Sequence, residues 1–147
     1  MKGKLAQRFL DPRKSGVVRV SDVRVPQAAA HEAGVAVFEV SLEGIADKDA
    51  LLGRFGAALE FPDWFGGNWD ALEDCLADLS WRPATGYVLL LHGADGFAAR
   101  CADDFGVLVD VLGTCAASWR EREVPFFAVC VDARGALPLP ALYNEAR

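Results

Sequence analysis

Hydrophobic and polar positions follow two different periods along the chain, and this pattern predicts strands separated by helices. Strands are indicated by alternating or continuous apolar runs at residues 15–20, 35–40, 87–91 and 126–131. Helices are indicated by apolar residues at helical spacing at residues 26–33, 48–59, 68–79 and 103–119. Strands that alternate with helices favour a mainly parallel sheet covered by helices. We therefore predict an α/β fold with three core strands and a fourth, N-terminal strand at a sheet edge.

Breaks in the periodic pattern predict the connecting segments. Phe61–Gly67 contains a proline, two glycines and three aromatic residues, which is typical of an ordered loop rather than a spacer. Asn68 then follows as an N-cap for the next helix. Gly93–Gly96 is predicted to be a turn. Leu137–Pro140 predicts an extended C-terminal tail that crosses the surface.

Charge is distributed unevenly along the chain. Residues 1–24 carry seven Lys and Arg against two Asp, a charge of +5. Because the net charge of the whole chain is −6, the remaining residues carry −11. This asymmetry suggests a basic arm, solvated and partly frayed, on an acidic body. We divide the chain into a basic N-terminal arm at residues 1–34 with an extra strand and helix, a domain at 35–131, and a C-terminal tail at 132–147.

The same composition disfavours several classes of function. An acidic body repels phosphates, so we expect no direct contact with nucleic acid. No apolar run approaches the ~20 residues of a membrane helix, and the N-terminus lacks the apolar centre of a signal peptide. The four cysteines form no C-x-x-C pair, which is typical of free thiols in a reducing cytoplasm. We predict a cytoplasmic protein without cofactor, metal or membrane contact.

Trp69–Leu79 predicts an amphipathic helix with an unusual polar side. Its apolar residues fall on one side: Leu72, Cys75, Leu76 and Leu79. Its acidic residues fall on the opposite side, with Ala77 among them: Asp70, Glu73, Asp74 and Asp78. Between Arg54 and Arg82 the chain has six Asp and Glu and neither Lys nor Arg. Carboxylates at i,i+4 repel each other by about 0.2–0.5 kcal/mol a pair, so stability alone does not explain this composition.

An uncompensated row of carboxylates is suited to a basic protein partner. A phosphate-binding cleft lined with Arg, Lys and His would accept the carboxylates through charge-assisted, often bidentate, hydrogen bonds. The neighbouring loop is the kind of segment on which binding residues concentrate. We therefore predict a binding surface that fits the active site of a nuclease.

Residues 61–76, FPDWFGGNWDALEDCL, resemble the signature of the barstar family, intracellular inhibitors of barnase-type ribonucleases. The resemblance continues more weakly over residues 35–131. It implies a small parallel sheet packed by helices in two layers, toxin immunity rather than catalysis, and insertion of this helix and loop into the ribonuclease active site. It also implies that Asp74 is the main acidic anchor, Asp70 the second, Trp64 a loop aromatic at the enzyme, and Asn68 the cap at the interface edge.

The chain departs from the family pattern around these anchors. Glu73 stands in place of Trp, Gly67 in place of Glu, and Ala77 in place of Thr, while Asp78-Leu79 replaces a Gly-Trp pair. The two central acidic residues, Asp70 and Asp74, are kept while the residues around them differ. This difference indicates that the target is a ribonuclease other than barnase, or another basic toxin. The predicted contact residues are Trp64, Gly66, Gly67, Asn68, Trp69, Asp70, Glu73, Asp74, Ala77 and Asp78.

Two other classes of function stay open. The domain is alternatively a scaffold or dimer module that buries Trp64, Phe65 and Trp69 against a non-nuclease neighbour. Within the domain itself, Phe65 is expected in the core, and Trp81 and Trp119 are expected to be packing residues. Less favoured is an enzyme in which Asp70, Glu73 and Asp74 bind Mg²⁺. Against catalysis, the helix offers no nucleophile, and His31 and His92 are expected to be surface or packing residues without an acidic partner at helical spacing.

Overall fold

The computed structural model describes residues 2–63 and 65–143. Its elements follow the chain in this order: α1 (Lys4–Phe9), a 3-10 turn (Pro12–Lys14), β1 (Gly16–Val20), α2 (Arg24–Ala33), β2 (Ala36–Ser41), α3 (Lys48–Ala58), α4 (Trp69–Asp78), β3 (Tyr87–His92), α5 (Ala94–Arg100), α6 (Ala102–Glu121) and β4 (Phe126–Val131). The four strands form one parallel sheet in the order β1-β4-β3-β2. The predicted α/β class is confirmed, with three core strands and a fourth at the edge.

Helices cover both faces of this sheet. Side chains alternate along a strand, so Leu89 and Leu91 of β3 enter one core while Val88 and Leu90 enter the other. The first core holds α3, α4, α5 and α6, which is the predicted two-layer arrangement. The second core holds α1 and α2, which add a layer on the opposite face. The acidic helix and the basic N-terminal segment therefore lie on opposite sides of the sheet.

The N-terminal segment packs against the sheet instead of fraying as expected. Phe9 is 0% exposed, and its ring meets the Phe127 ring edge-on at 5.0 Å between centroids. Ala6 is also fully buried. A six-residue helix has little stability of its own, so α1 depends on this burial. The apolar residues that dock it lie one turn apart in a segment rich in Lys and Arg, which is why the charge pattern alone indicates a loose arm.

The turn predicted at Gly93–Gly96 is wrong, because helix α5 begins there. Gly93 has φ +71° and precedes the helix, a left-handed conformation that favours glycine. Gly96 lies inside the helix, where glycine is unfavourable by about 1 kcal/mol relative to alanine. Ala94 and Phe97 are both 0% exposed, and their burial in the first core offsets that cost.

The C-terminal tail covers the outer edge of β1. The Arg19 N–H donates to the Pro140 carbonyl, and the Leu142 N–H donates back to the Arg19 carbonyl, both at 2.9 Å. Asp132, which is buried, accepts the Leu137 N–H at 2.8 Å and fixes the start of the tail. An uncovered edge strand is a template for unwanted pairing, so this tail protects the sheet.

Candidate functional site

Helix α4 begins at a well-defined cap beside the aromatic loop. The Asn68 side chain accepts the Ala71 N–H at 2.8 Å, as predicted from the sequence. A cap of this kind stabilises a helix by about 1 kcal/mol. Gly67 precedes it with φ +68°, a backbone conformation that side chains rarely adopt. Gly66, Gly67 and Asn68 are all exposed, so the chain enters the helix along the protein surface.

The apolar side of α4 packs against α6, which also bonds to its backbone. Leu72, Cys75 and Leu76 are fully buried, as predicted. The buried Trp119 indole N–H donates to the Leu76 carbonyl at 2.8 Å. Arg122 donates from Nη2 to the carbonyl of Ala77, one residue further along, at 2.6 Å. These bonds hold the last turn of α4 in a fixed orientation.

The role of α6 in positioning α4 was missed by sequence reasoning, which treated Trp119 as a packing residue only. Cys115 approaches the Glu73 carbonyl at 3.6 Å, which adds a third contact of the same kind. Residues 115, 119 and 122 are spaced by four and three positions and therefore share one face of α6. That spacing is visible in the sequence, but nothing in it indicates which helix this face meets.

The carboxylates of α4 point to solvent and have no cationic partner among the described residues. Asp70, Asp74 and Asp78 are exposed and Glu73 is partly exposed. None of the four belongs to an ion pair within residues 2–63 and 65–143. Asp78 accepts a hydrogen bond from the Ser80 hydroxyl at 3.2 Å. We call these four side chains the acidic face.

Two arginines lie near α4 without pairing with the acidic face. Arg82 bonds to Glu60 at 2.9 Å. Arg122 stacks over the Trp119 ring at 3.7 Å and bonds to the Ala77 carbonyl. A cation at a helix C-terminus interacts favourably with the helix dipole, so Arg122 stabilises the end of α4. The negative charge of the acidic face is therefore least compensated near Asp70 and Asp74.

The loop before α4 is anchored by aromatic contacts. Phe65 packs edge-on against Phe61 at 4.8 Å between ring centroids, and Phe61 packs similarly against Trp81 at 5.9 Å. The Trp81 indole N–H donates to the Leu59 carbonyl at 3.0 Å. Phe65 thus packs against the core, as expected. Trp64, the aromatic predicted to contact a partner, lies outside the described residues.

The remaining predicted contact residues lie at the border of the acidic face. Trp69 and Ala77 are partly buried, and both pack against the first core. The inner side of the Trp69 ring therefore packs against the core, and only the rest of the ring is available to a partner. The structure brings together Gly66, Gly67, Asn68 and Asp70 at the start of α4, with Glu73, Asp74 and Asp78 following along the helix.

The thiols of Cys75 and Cys115, which lie behind the acidic face, have low reactivity. Burial, together with the negative charges of Asp74 and Asp78, raises the pKa of the Cys75 thiol to about 11. Burial raises the pKa of Cys115 to about 12, and Glu73 adds to the shift. Thiols protonated at neutral pH are weak nucleophiles and poor metal ligands. Both therefore act as small apolar residues in the packing of α4 on α6.

Three further observations concern a histidine contact, possible metal sites and possible membrane helices. His92 contacts Glu39 of the neighbouring strand at 2.7 Å. This acidic partner is not at helical spacing from His92, so the local sequence does not indicate it. Within residues 2–63 and 65–143, no three His, Cys, Asp or Glu side chains are grouped to hold a metal ion. None of the helices in that part of the chain is both long enough and apolar enough to cross a bilayer.

Comparison with known proteins identifies the domain that carries this surface. A family model described as Barstar (barnase inhibitor) matches residues 35–131, about two thirds of the 147 residues. Neither the curated proteins nor the solved structures give a match to the chain. The matched range holds β2 to β4 and the helices between them, and leaves out α1, β1, α2 and the tail. The chain belongs to the Barstar family.

Proposed function

We propose that this protein inhibits a basic ribonuclease, or a related basic toxin, by inserting the acidic face and the preceding loop into the enzyme's active-site cleft. The observation that carries the proposal is the exposure of Asp70 and Asp74 without a described cationic partner. Family membership supports a protein partner and an inhibitory role. The protein would serve in the cytoplasm as immunity against the toxin.

The geometry of α4 favours binding to a cationic cleft. Asp70 and Asp74 stand one turn apart, about 6 Å along the helix axis. Because the Asn68 cap and the bonds from Trp119 and Arg122 fix α4, little conformational entropy is lost when a partner binds. Arginines of a phosphate-binding cleft would each bond to a carboxylate with two parallel hydrogen bonds.

The proposed contact surface is larger than the two anchors. Asp74 is the central residue and Asp70 its neighbour. The other residues that we assign to the contact are Trp64, Gly66, Gly67, Asn68, Trp69, Glu73, Ala77 and Asp78. Glu73 and Asp78 add negative charge around the anchors, so the target would carry a basic rim as well as a basic centre. This surface fits a ribonuclease other than barnase.

We expect the purified protein to abolish the activity of a basic barnase-type ribonuclease from its host at one equivalent. The association rate should fall steeply as NaCl rises from about 0.1 M to about 1 M, because the Debye length shortens from about 10 Å to about 3 Å. A titration of RNA cleavage against inhibitor concentration gives the stoichiometry, and stopped-flow mixing gives the rate.

Two results would count against the proposal. One is full ribonuclease activity in the presence of excess inhibitor for every basic ribonuclease of the host. The other is a melting temperature that rises with Mg²⁺ in the wild type but not in a variant lacking the carboxylates of Asp70 and Asp74, which would favour a metal-dependent enzyme. Binding of the acidic face to a basic protein that is not a nuclease would support the proposed contact surface, but the domain would then be a scaffold module and not a ribonuclease inhibitor.

A further inference from the structure

A groove on the opposite side of the sheet from the acidic face has mainly apolar walls and includes two cationic residues in its lining. Its volume is about 380 Å³, which lies within the range of roughly 300–1,000 Å³ typical of small-molecule sites. It is lined by Lys4, Leu5, Arg8, Val25 and Tyr143. We propose that this groove binds a small amphipathic carboxylate, with the anionic head at Lys4 and Arg8 and the hydrocarbon part along the apolar wall.

The cations of the groove have no anionic partner among the described residues. Lys4 and Arg8 lie at i and i+4 on α1, so their charges share one side of the helix and repel each other. Neither forms an ion pair among the described residues. The Arg8 Nε is buried and has no hydrogen-bond partner there. Arg8 as a whole is partly exposed and lines the groove, and a carboxylate matches the geometry of a guanidinium group.

The apolar wall gives the proposed ligand its second property. Val25 is 42% exposed, which makes it one of three large hydrophobic side chains exposed to this degree in the described chain. It stands in the first turn of α2, beside Leu5 of α1. An exposed apolar wall next to two cations without a described anionic partner is complementary to an anion that carries a hydrocarbon chain. A purely polar anion would leave this wall in water.

The groove is formed by segments that the family match does not include. Lys4, Leu5 and Arg8 belong to α1, Val25 to α2 and Tyr143 to the tail, all outside residues 35–131. The tail is held in place by the hydrogen bonds that Arg19 forms with Pro140 and Leu142, described above. The proposed site is thus independent of ribonuclease inhibition, and the two proposals succeed or fail separately.

Isothermal titration of the full chain with decanoate below its micelle concentration tests the proposal. We expect one-to-one binding, with affinity rising up to about fourfold per methylene from hexanoate to decanoate. Decanol and decyltrimethylammonium should bind at least roughly tenfold more weakly, because they lack the anionic head. Arg8→Gln should weaken decanoate binding to a similar extent. Lys14→Gln, which removes an exposed charge from the same segment, should leave it unchanged.

Two further variants make the test decisive. Val25→Glu places a carboxylate on an exposed position of the wall and should abolish decanoate binding with an unchanged circular dichroism spectrum, even if Arg8→Gln does not fold. Asp74→Ala should bind decanoate like the wild type. The proposal is overturned if decanoate does not bind, if decyltrimethylammonium binds equally well, or if Lys14→Gln is as harmful as Arg8→Gln. Binding to phosphatidylglycerol vesicles without binding of monomeric decanoate would also overturn it, in favour of a membrane surface.

Discussion

Replacing Asp74 with alanine should weaken binding to a basic ribonuclease by at least about a hundredfold. In the proposed complex this carboxylate neutralises a cation of the cleft that has lost its water. Removing one partner of such a pair costs about 3 kcal/mol or more, because the other charge stays buried and unpaired. Equilibrium inhibition assays with the wild type and the Asp74→Ala variant would measure the effect.

The control for this prediction is Asp110→Ala. Asp110 is an exposed acid of α6, so the substitution changes the net charge equally without touching the acidic face. It should alter affinity by less than about threefold, through long-range attraction alone. Asp70→Ala should have the second-largest effect. Equal losses for Asp74→Ala and Asp110→Ala would show that overall charge, and not this surface, governs binding.

Replacing Phe9 with alanine should lower the free energy of unfolding by about 3–5 kcal/mol. The ring is fully buried against Phe127, and truncation of a buried aromatic residue leaves a cavity that the surroundings fill only in part. Urea denaturation followed by tryptophan fluorescence measures this change. An effect of this size at residue 9 follows only if the N-terminal segment is an integral part of the fold.

Leu10→Ala is the matched control for Phe9→Ala. Leu10 follows directly in the chain but is 36% exposed, so its truncation should cost less than about 1 kcal/mol. If Phe9→Ala were equally mild, α1 would contribute little to stability and residues 1–24 would behave as the loose arm that their charge suggests. Inhibition of the ribonuclease should be normal for both variants below their unfolding transitions, since α1 and α4 lie on opposite faces of the sheet.

The two central strands, β3 and β4, were predictable because they are buried on both faces. Tyr87–Leu91 and Phe126–Val131 are apolar throughout, and a short continuous apolar run has few other structural solutions. The polar side of α4 was predictable for a similar reason. A helix with Leu72 and Leu76 on one side must bury that side, so Asp70 and Asp74 face solvent.

What the sequence did not disclose depends on tertiary contacts. Helix α1 is too short to be stable alone, and Gly96 disfavours α5, so both form only because Phe9 and Phe97 dock into a core. Likewise, Arg122 lies 44 positions after Asp78 in sequence, yet it reaches the end of α4. No local pattern indicates such a pairing. Of the layer formed by α1 and α2, the sequence predicts the helix at residues 26–33 but not α1.

Whether the charges of Asp70 and Asp74 hold the ribonuclease can be decided from the salt dependence of binding by an isosteric double variant. Asp70→Asn combined with Asp74→Asn keeps side-chain shape and removes two charges from the acidic face. We expect this variant to bind the ribonuclease far more weakly than the wild type, and its dissociation constant to change much less between about 0.1 M and about 1 M NaCl. A variant that binds as tightly as the wild type, with the same dependence on salt, would show that these two carboxylates do not hold the partner.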